Sequence, residues 1–331
     1  MILRFMLAGL IAGVGLTFSS GAGRAETTLR AVTFTPSNVI YAKHFKEFAA
    51  LVNERGKDVV QIQIIGGPEA IPVQKMGEAQ MNGIADMFNL PPGLYLDLVP
   101  EGGAFTGSNK TPMQNRADGA LDAINGIFHD KANAHVLAHV DGGMQFHVML
   151  TEKPGITADG ALDLSGMSLR SGPLFRAFME NLGATVVVMP PGEVYTGLER
   201  GVIQGAGYTI VGVRDFGWDK FLKYRIDPGF FQADVLISMN YDSWQGLSDE
   251  ARDILNAVAA EYEQISFDEM AKATAEESAA LAGEGMEVIE LSGKQREEYL
   301  AGAYNTAWDR LKSRDSANHD ALRKLFFDET R

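Results

Sequence analysis

The chain contains no cysteine, which excludes disulfides, thiolate metal sites and cysteine nucleophiles and leaves packing to hold the fold in an oxidising compartment. Basic residues are also scarce: 29 lysines and arginines stand against 43 acids, a formal net charge of -14. Such a surface repels nucleic acid and anionic lipid, so neither is an expected partner, and an anionic ligand would need a local positive group. After Phe18 no run is long and apolar enough to cross a bilayer. A P-loop, a Gly-x-Ser-x-Gly elbow and a His-Glu-x-x-His are all missing, so no catalytic set and no cofactor is expected.

What is present begins at the amino terminus. Arg4, an apolar run from Phe5 to Phe18 and small residues before Gly23-Arg24-Ala25 mark Met1 to Ala25 as a secretory signal peptide, with cleavage expected after Ala25. Its loss removes two arginines and no acid, taking the net charge from -14 to -16. The mature chain is expected to be exported, soluble and monomeric, and it is long enough for two lobes with separate cores.

The stretch Leu164 to Thr209 carries the strongest pattern. Its periods read as a short strand with Met167 and Leu169, a helix from Pro173, a strand from Thr185 to Met189, a helix from Pro191 and a strand near Ile203. Arg170 closes the first of these strands. Ligands of open α/β sheets collect beyond the carboxyl ends of strands, where a guanidinium suits a carboxylate held by two parallel hydrogen bonds. A solvated surface arginine would look the same in sequence.

Upstream, Leu29 to Phe34 alternates as a strand, Ile40, Phe45, Phe48 and Leu51 mark a helical stripe ending at Gly56, and Val59 to Ile65 is a second strand, together a β-α-β unit. Gly66-Gly67-Pro68 lacks the remaining glycines of a dinucleotide fingerprint and reads as a turn. Ile84 to Phe88 is a buried strand whose end brings Phe88, Asn89 and Leu90 to the level of Arg170, and Thr111-Pro112 opens a helix continuing to about Asp130. Ala134 to Val140 and Met144 to Leu150 are strands. His135 and His139 would align as metal ligands only on a helix; on a strand they are packing residues, and no metal site is expected. Phe230 to Met239 reads as one long strand, Ser248 caps a long helix with Asp249 and Glu250 in its first turn, and a last helix carries Leu300, Tyr304, Trp308 and Leu311.

Three blocks of the central stretch read Ser165-Gly166-Met167-Ser168-Leu169-Arg170-Ser171, Gly183-Ala184-Thr185, and Glu193-Val194-Tyr195-Thr196-Gly197-Leu198-Glu199-Arg200-Gly201-Val202-Ile203-Gln204-Gly205. This wording resembles the solute-binding proteins of TRAP transporters, periplasmic carriers of organic acids, whose motif runs lys-gly-leu-lys-ile-arg-val, gly-ala-x-pro, then glu-val-tyr-x-ala-leu-glu-x-gly-val-x-asp-gly. The similarity extends from Leu29 to about Ser248 through LRAVTFTPSN, IGGPEAIP and DGGMQFHVMLTEKPG. It implies an α/β, two-lobed periplasmic binding protein fold with hinge strands and long C-terminal helices, a TRAP membrane permease as partner, and no catalysis. Beyond the signal peptide at 1–25, it places lobe I at 26–149 with part of 233–280, lobe II at 150–232, and a hinge-crossing strand with helices packing on both lobes at 233–331. Arg170 falls on the arginine that grips the ligand carboxylate in the family.

Departures from the motif bear on the ligand. Sialic acid and dicarboxylate binders of the family often keep a second arginine on the first hinge strand, an asparagine after asp-gly and a polar residue ending the first strand; here those places hold Phe146, Tyr208 and Phe34. Around the single Arg170 they imply a pocket that fixes one carboxylate and encloses an apolar or ring-bearing body. Phe88 is expected to shape the same pocket, with Asn89 and Trp218 as further candidates; a register slip at Phe146 would turn Gln145 or His147 inward instead. The expected ligand is an apolar or aromatic monocarboxylate. A small 2-oxo or hydroxy acid or a C4-dicarboxylate is the alternative within the class, and a secreted hydrolase or an adhesive envelope protein the alternatives outside it.

Overall fold

In the computed structural model, residues 26–158, 160–314 and 317–330 are described; the expected signal peptide lies outside them. The strands in chain order are β1 (Thr27–Thr33), β2 (Val60–Gly66), β3 (Met87–Leu90), β4 (Ala134–Val140), β5 (Gln145–Leu150), β6 (Gly155–Ile156), β7 (Leu162–Asp163), β8 (Ser168–Ser171), β9 (Thr185–Val188), β10 (Gly205–Thr209), β11 (Tyr224–Asp227), β12 (Phe230–Gln232), β13 (Val235–Asn240) and β14 (Glu287–Glu290). One sheet runs β2-β1-β3-β13-β4 and a second runs β14-β11-β5-β10-β8-β9, with β12 also on β5. Each sheet is largely parallel and carries one strand that runs against its neighbours on both sides, β13 in the first and β5 in the second.

The opening β-α-β unit forms as its alternation requires. Helix Ile40–Arg55 buries Phe45, Phe48 and Val52 against the first sheet and stops at Gly56, where an added Cβ would meet the Val52 and Val60 carbonyls. The helix expected from Pro112 to about Asp130 is two, Pro112–Ala117 and Ala120–Ala132, because Gly119 takes a φ of 77° between them.

The chain changes sheets across residues 141–144, after β4, and again at Ala233 and Asp234, between β12 and β13. The expected single strand Phe230 to Met239 is therefore two strands, one per sheet: Phe231 sits at a φ of 42°, the pairing with β5 bulges there, and the pleat cannot continue. The Ala233 amide donates to the Met144 carbonyl (2.8 Å), so the crossings brace each other.

Two long helices lie over both sheets. Ser248 Oγ accepts from the Ala251 amide (3.1 Å) and starts helix Asp249–Gly283 as expected. This helix places Leu255, Val258 and Tyr262 in the core beside the first sheet, Met270 at the crossings and Leu281 in a core beside the second. Helix Gly293–Arg314 puts Tyr299, Ala303 and Ala307 in one core and Trp308 and Leu311 in the other. At ~1.5–3 kcal/mol for each large apolar side chain fully buried, these contacts are a substantial part of what holds the lobes together.

Candidate functional site

Arg170 is the penultimate residue of β8 and is 6% exposed. Its Nε donates to the Met189 carbonyl (3.0 Å) and its Nη1 to the Gly207 carbonyl (2.8 Å), so two backbone acceptors of the second sheet fix the plane of the guanidinium. The Tyr208 ring lies 5.4 Å from Arg170 Cζ, and among the described residues no carboxylate comes within 4 Å of it. Burial pulls the guanidinium below its ordinary value, opposed by Tyr208; arginine still stays charged. A buried cation with a fixed fork and no acidic partner among the described residues is a strong anion receptor.

Aromatic residues of both lobes gather in front of Arg170. Tyr208 and Tyr41 line one cleft, and Tyr41 lies 5.5 Å from Phe34. Thr209, whose hydroxyl donates to the Val211 carbonyl (3.1 Å), is close to Tyr41 as well. Burial first, then Tyr208 and Asp141, holds the Tyr41 hydroxyl well above its ordinary value, so it remains a neutral donor. Outside this row a cleft of about 780 Å³ opens between Tyr41, His44 and Glu47 on one side and Tyr208, Val211 and Phe216 on the other. Arg170 does not line that cleft; it lies one layer deeper, beneath the Tyr208 ring.

The other candidates divide. Phe34 and Phe146 are partly buried near the two lobes' facing strand ends; Phe146 packs on Phe175 (5.1 Å) and Phe230 (6.3 Å), and it pairs with Thr209 across β5 and β10. Phe88 differs from expectation: it has no exposed surface and packs with Tyr95 and Phe105 in a core beneath the first sheet. Trp218 is equally enclosed and serves to back Tyr208, at 5.0 Å. Asn89, adjacent to Phe88 but on the opposite face, accepts from Thr33 Oγ1 (3.2 Å) and leaves a buried Nδ2 without a partner among the described residues. Gln145 is partly buried, while His147 turns to Asp227 (2.9 Å) and the Ile226 carbonyl (3.1 Å).

The two histidines set aside as packing residues do lie on a strand, β4. His135 stacks on Trp244 (4.2 Å), His139 is buried, and burial pulls each imidazole down to about 4, so both are neutral at pH 7.

A family model, bacterial extracellular solute-binding protein family 7 (DctP), matches residues 31–314. The chain belongs to this family. Its members are the TRAP periplasmic solute-binding proteins, which bind small organic acids. Among curated relatives, the ectoine/5-hydroxyectoine-binding periplasmic protein UehA of Ruegeria pomeroyi is 25% identical over 300 residues, covering 87% of this chain and 86% of its own. A TRAP periplasmic solute-binding protein from Ochrobactrum anthropi superposes with a TM-score of 0.78 at 18% identity, covering 92% of this chain and 95% of its own. The solute receptor DctP7 of Bordetella pertussis, described as binding pyroglutamic acid, gives 0.73 at 16% identity, covering 91% and 99%. The two-lobed α/β architecture is thus that of the TRAP solute-binding proteins, and no described helix is long and apolar enough to cross a membrane.

For a TRAP solute-binding protein, the residues that sequence reading missed matter as much as those it found. Tyr41, His44 and Glu47 lie on the first turns of helix Ile40–Arg55, and Glu269 comes from the long helix more than 200 positions later. Their polar spacing on an amphipathic helix looks like a solvated face.

Proposed function

We propose that this chain is the exported solute-binding subunit of a TRAP transporter, that it captures one organic monocarboxylate between its lobes through a salt bridge with Arg170, and that it delivers the acid to the membrane permease as a monomer. The observation that carries this reading is the buried, backbone-fixed guanidinium without an acidic partner among the described side chains. Export rests on Met1 to Ala25, with cleavage after Ala25. The division of labour we infer is that 26–149 and 150–232 form the two jaws and the strands and helices of 233–331 join them.

Phe34, Tyr41, Phe146 and Tyr208 would enclose the body of the acid, and the unpartnered Asn89 Nδ2 would donate to a second ligand oxygen, where a buried donor gains most from being satisfied. Phe88 and Trp218 would support these walls from behind. Because Arg170 lies beneath Tyr208, the acid enters while the lobes are apart, and closure brings Tyr41 and Tyr208 together over it. With Phe146 in place of a second arginine, a second carboxylate would be buried unpaired, which is costly.

The test is a thermal-shift screen of the mature protein against benzoate, branched aliphatic acids, succinate, malate and fumarate. Monoacids should raise the melting temperature by several degrees where the diacids do little, since ligand bound to the native state stabilises by RT ln(1 + [L]/Kd). Phe146→Arg should narrow the gap. Tight binding of the C4-diacids by the unaltered protein would overturn the monocarboxylate reading, and no response to any acid would overturn the receptor reading itself.

A further inference from the structure

His44, on helix Ile40–Arg55, is 6% exposed and held from behind. Its Nδ1 lies 2.6 Å from Oδ1 of Asp141, a fully buried side chain whose own amide donates to Ser266 Oγ (3.1 Å). The opposite ring nitrogen, Nε2, makes no hydrogen bond with the described residues and lies 3.4 Å from Glu269 Oε2. Three residues on from His44, Glu47 brings a second carboxylate; its Oε2 is 3.2 Å from the Tyr262 hydroxyl, which donates to the His44 carbonyl (2.7 Å). Ligand atoms of His44, Glu47 and Glu269 all lie within 4.8 Å of one another.

We propose that His44 Nε2, Glu47 and Glu269 form a binding site for a divalent transition-metal cation of the Zn²⁺ type, at the mouth of the cleft. An imidazole held by a buried carboxylate at its far nitrogen is the arrangement that orients histidine towards a metal and raises its basicity. Bonds of ~2.0–2.2 Å to nitrogen and oxygen would bring the ligand atoms to roughly 3–4 Å from each other. The His44 and Glu269 atoms already stand at that spacing, and both carboxylates are exposed side chains with room to adjust. One nitrogen and two carboxylates with a further position open to solvent suit Zn²⁺, whereas Ca²⁺ asks for six or more oxygens and Mg²⁺ for a near-octahedral oxygen shell. The charge balance argues the same way: Glu47, Glu269 and Asp215 all face this cleft, against one lysine, Lys43.

The site stands on lobe I and the long helix and needs neither Arg170 nor the acid, so its test is separate from the binding screen. Tag-free full-length mature chain, stripped with a chelator, is titrated with Zn²⁺ against a chromophoric competitor. One equivalent should bind in the micromolar range or tighter, with Ca²⁺ and Mg²⁺ at least a hundredfold weaker. Glu47→Gln and Glu269→Gln alter exposed side chains and should leave the unfolding temperature of the metal-free protein unchanged while weakening Zn²⁺ tenfold or more. Asp141→Asn should weaken it by about 10–100-fold through the loosened ring, circular dichroism confirming that the variant is folded. A titration without a saturable site, glutamine variants that bind Zn²⁺ like the parent, or Ca²⁺ binding as tightly as Zn²⁺ would each overturn the proposal.

Discussion

Replacing Asp234 by asparagine should remove a pH dependence from the joint between the lobes. Asp234 is buried where the chain passes from β12 to β13, with Thr106 Oγ1 donating to its Oδ2 at 2.5 Å. Burial pushes its carboxyl from 3.8 up to about 7, partly offset by Thr106 and by the positive charge of Arg310. Between about pH 4 and pH 7 the folded chain therefore keeps a proton that the unfolded chain has released. Stability from this group is fullest on the acid side and declines as pH rises through that window. A difference of about 3 pH units, at ~1.4 kcal/mol each, comes to ~4 kcal/mol. Asparagine can still accept from Thr106 and does not titrate. The unfolding free energy of the parent, measured by urea at each pH from 4 to 8, should fall by ~4 kcal/mol relative to Asp234→Asn, groups common to both cancelling. Parallel curves would refute the reasoning, because they would mean that Asp234 titrates alike in the folded and unfolded chains.

Other outcomes follow from the same contacts. Arg170→Lys should lose ~2–5 kcal/mol in affinity for whichever acid the screen identifies, because a compact ammonium cannot span the Met189 and Gly207 carbonyls and still present two parallel N–H bonds to a carboxylate; calorimetry showing equal affinity would remove Arg170 from the site. Arg116→Met should cost ~3–5 kcal/mol in urea unfolding, since Glu263, fully buried and bonded by Arg116 at 2.6 and 2.9 Å, would be left without its cation. Gly205→Ala should cost ~1–3 kcal/mol by the same assay, as its Cβ would meet the Met149 carbonyl on the neighbouring strand; an unchanged midpoint would show that β5 and β10 can spread without loss.

Much of the frame was legible because local chemistry and global fold agree in it. Gly56 stops the first helix, Ser248 starts the long one, and Arg170 lies next to the end of a strand, each for a reason visible within a few residues. Reading faces inside the sheets was harder. Along β3 the residues Met87, Phe88, Asn89 and Leu90 are all buried, since the sheet is covered on both sides, and alternating burial gave no sign that Phe88 turns into a core while Asn89 turns away from it. The break between β12 and β13 was hidden for a related reason: both ends of the run from Phe230 to Met239 read as buried strand, and only the backbone at Phe231 and the partner strands separate them. The His44, Glu47 and Glu269 cluster joins distant segments, and no spacing rule connects them.

The two C-terminal helices, each seated in the cores of both lobes, bear on how such a receptor can be rebuilt. Neither lobe is a removable cassette: excising the inferred second lobe, 150–232, would bare Leu281 and Tyr299 along with the sheet beside them, and the half that remained would carry two helices shaped for a vanished partner. A chimera that borrows the second lobe of a relative must borrow the inward faces of both helices as well, or it will present an apolar seam to solvent. On the proposed site, specificity in this scaffold is therefore more readily altered one side chain at a time, at Phe34, Phe146 or Tyr208, than by exchanging whole jaws.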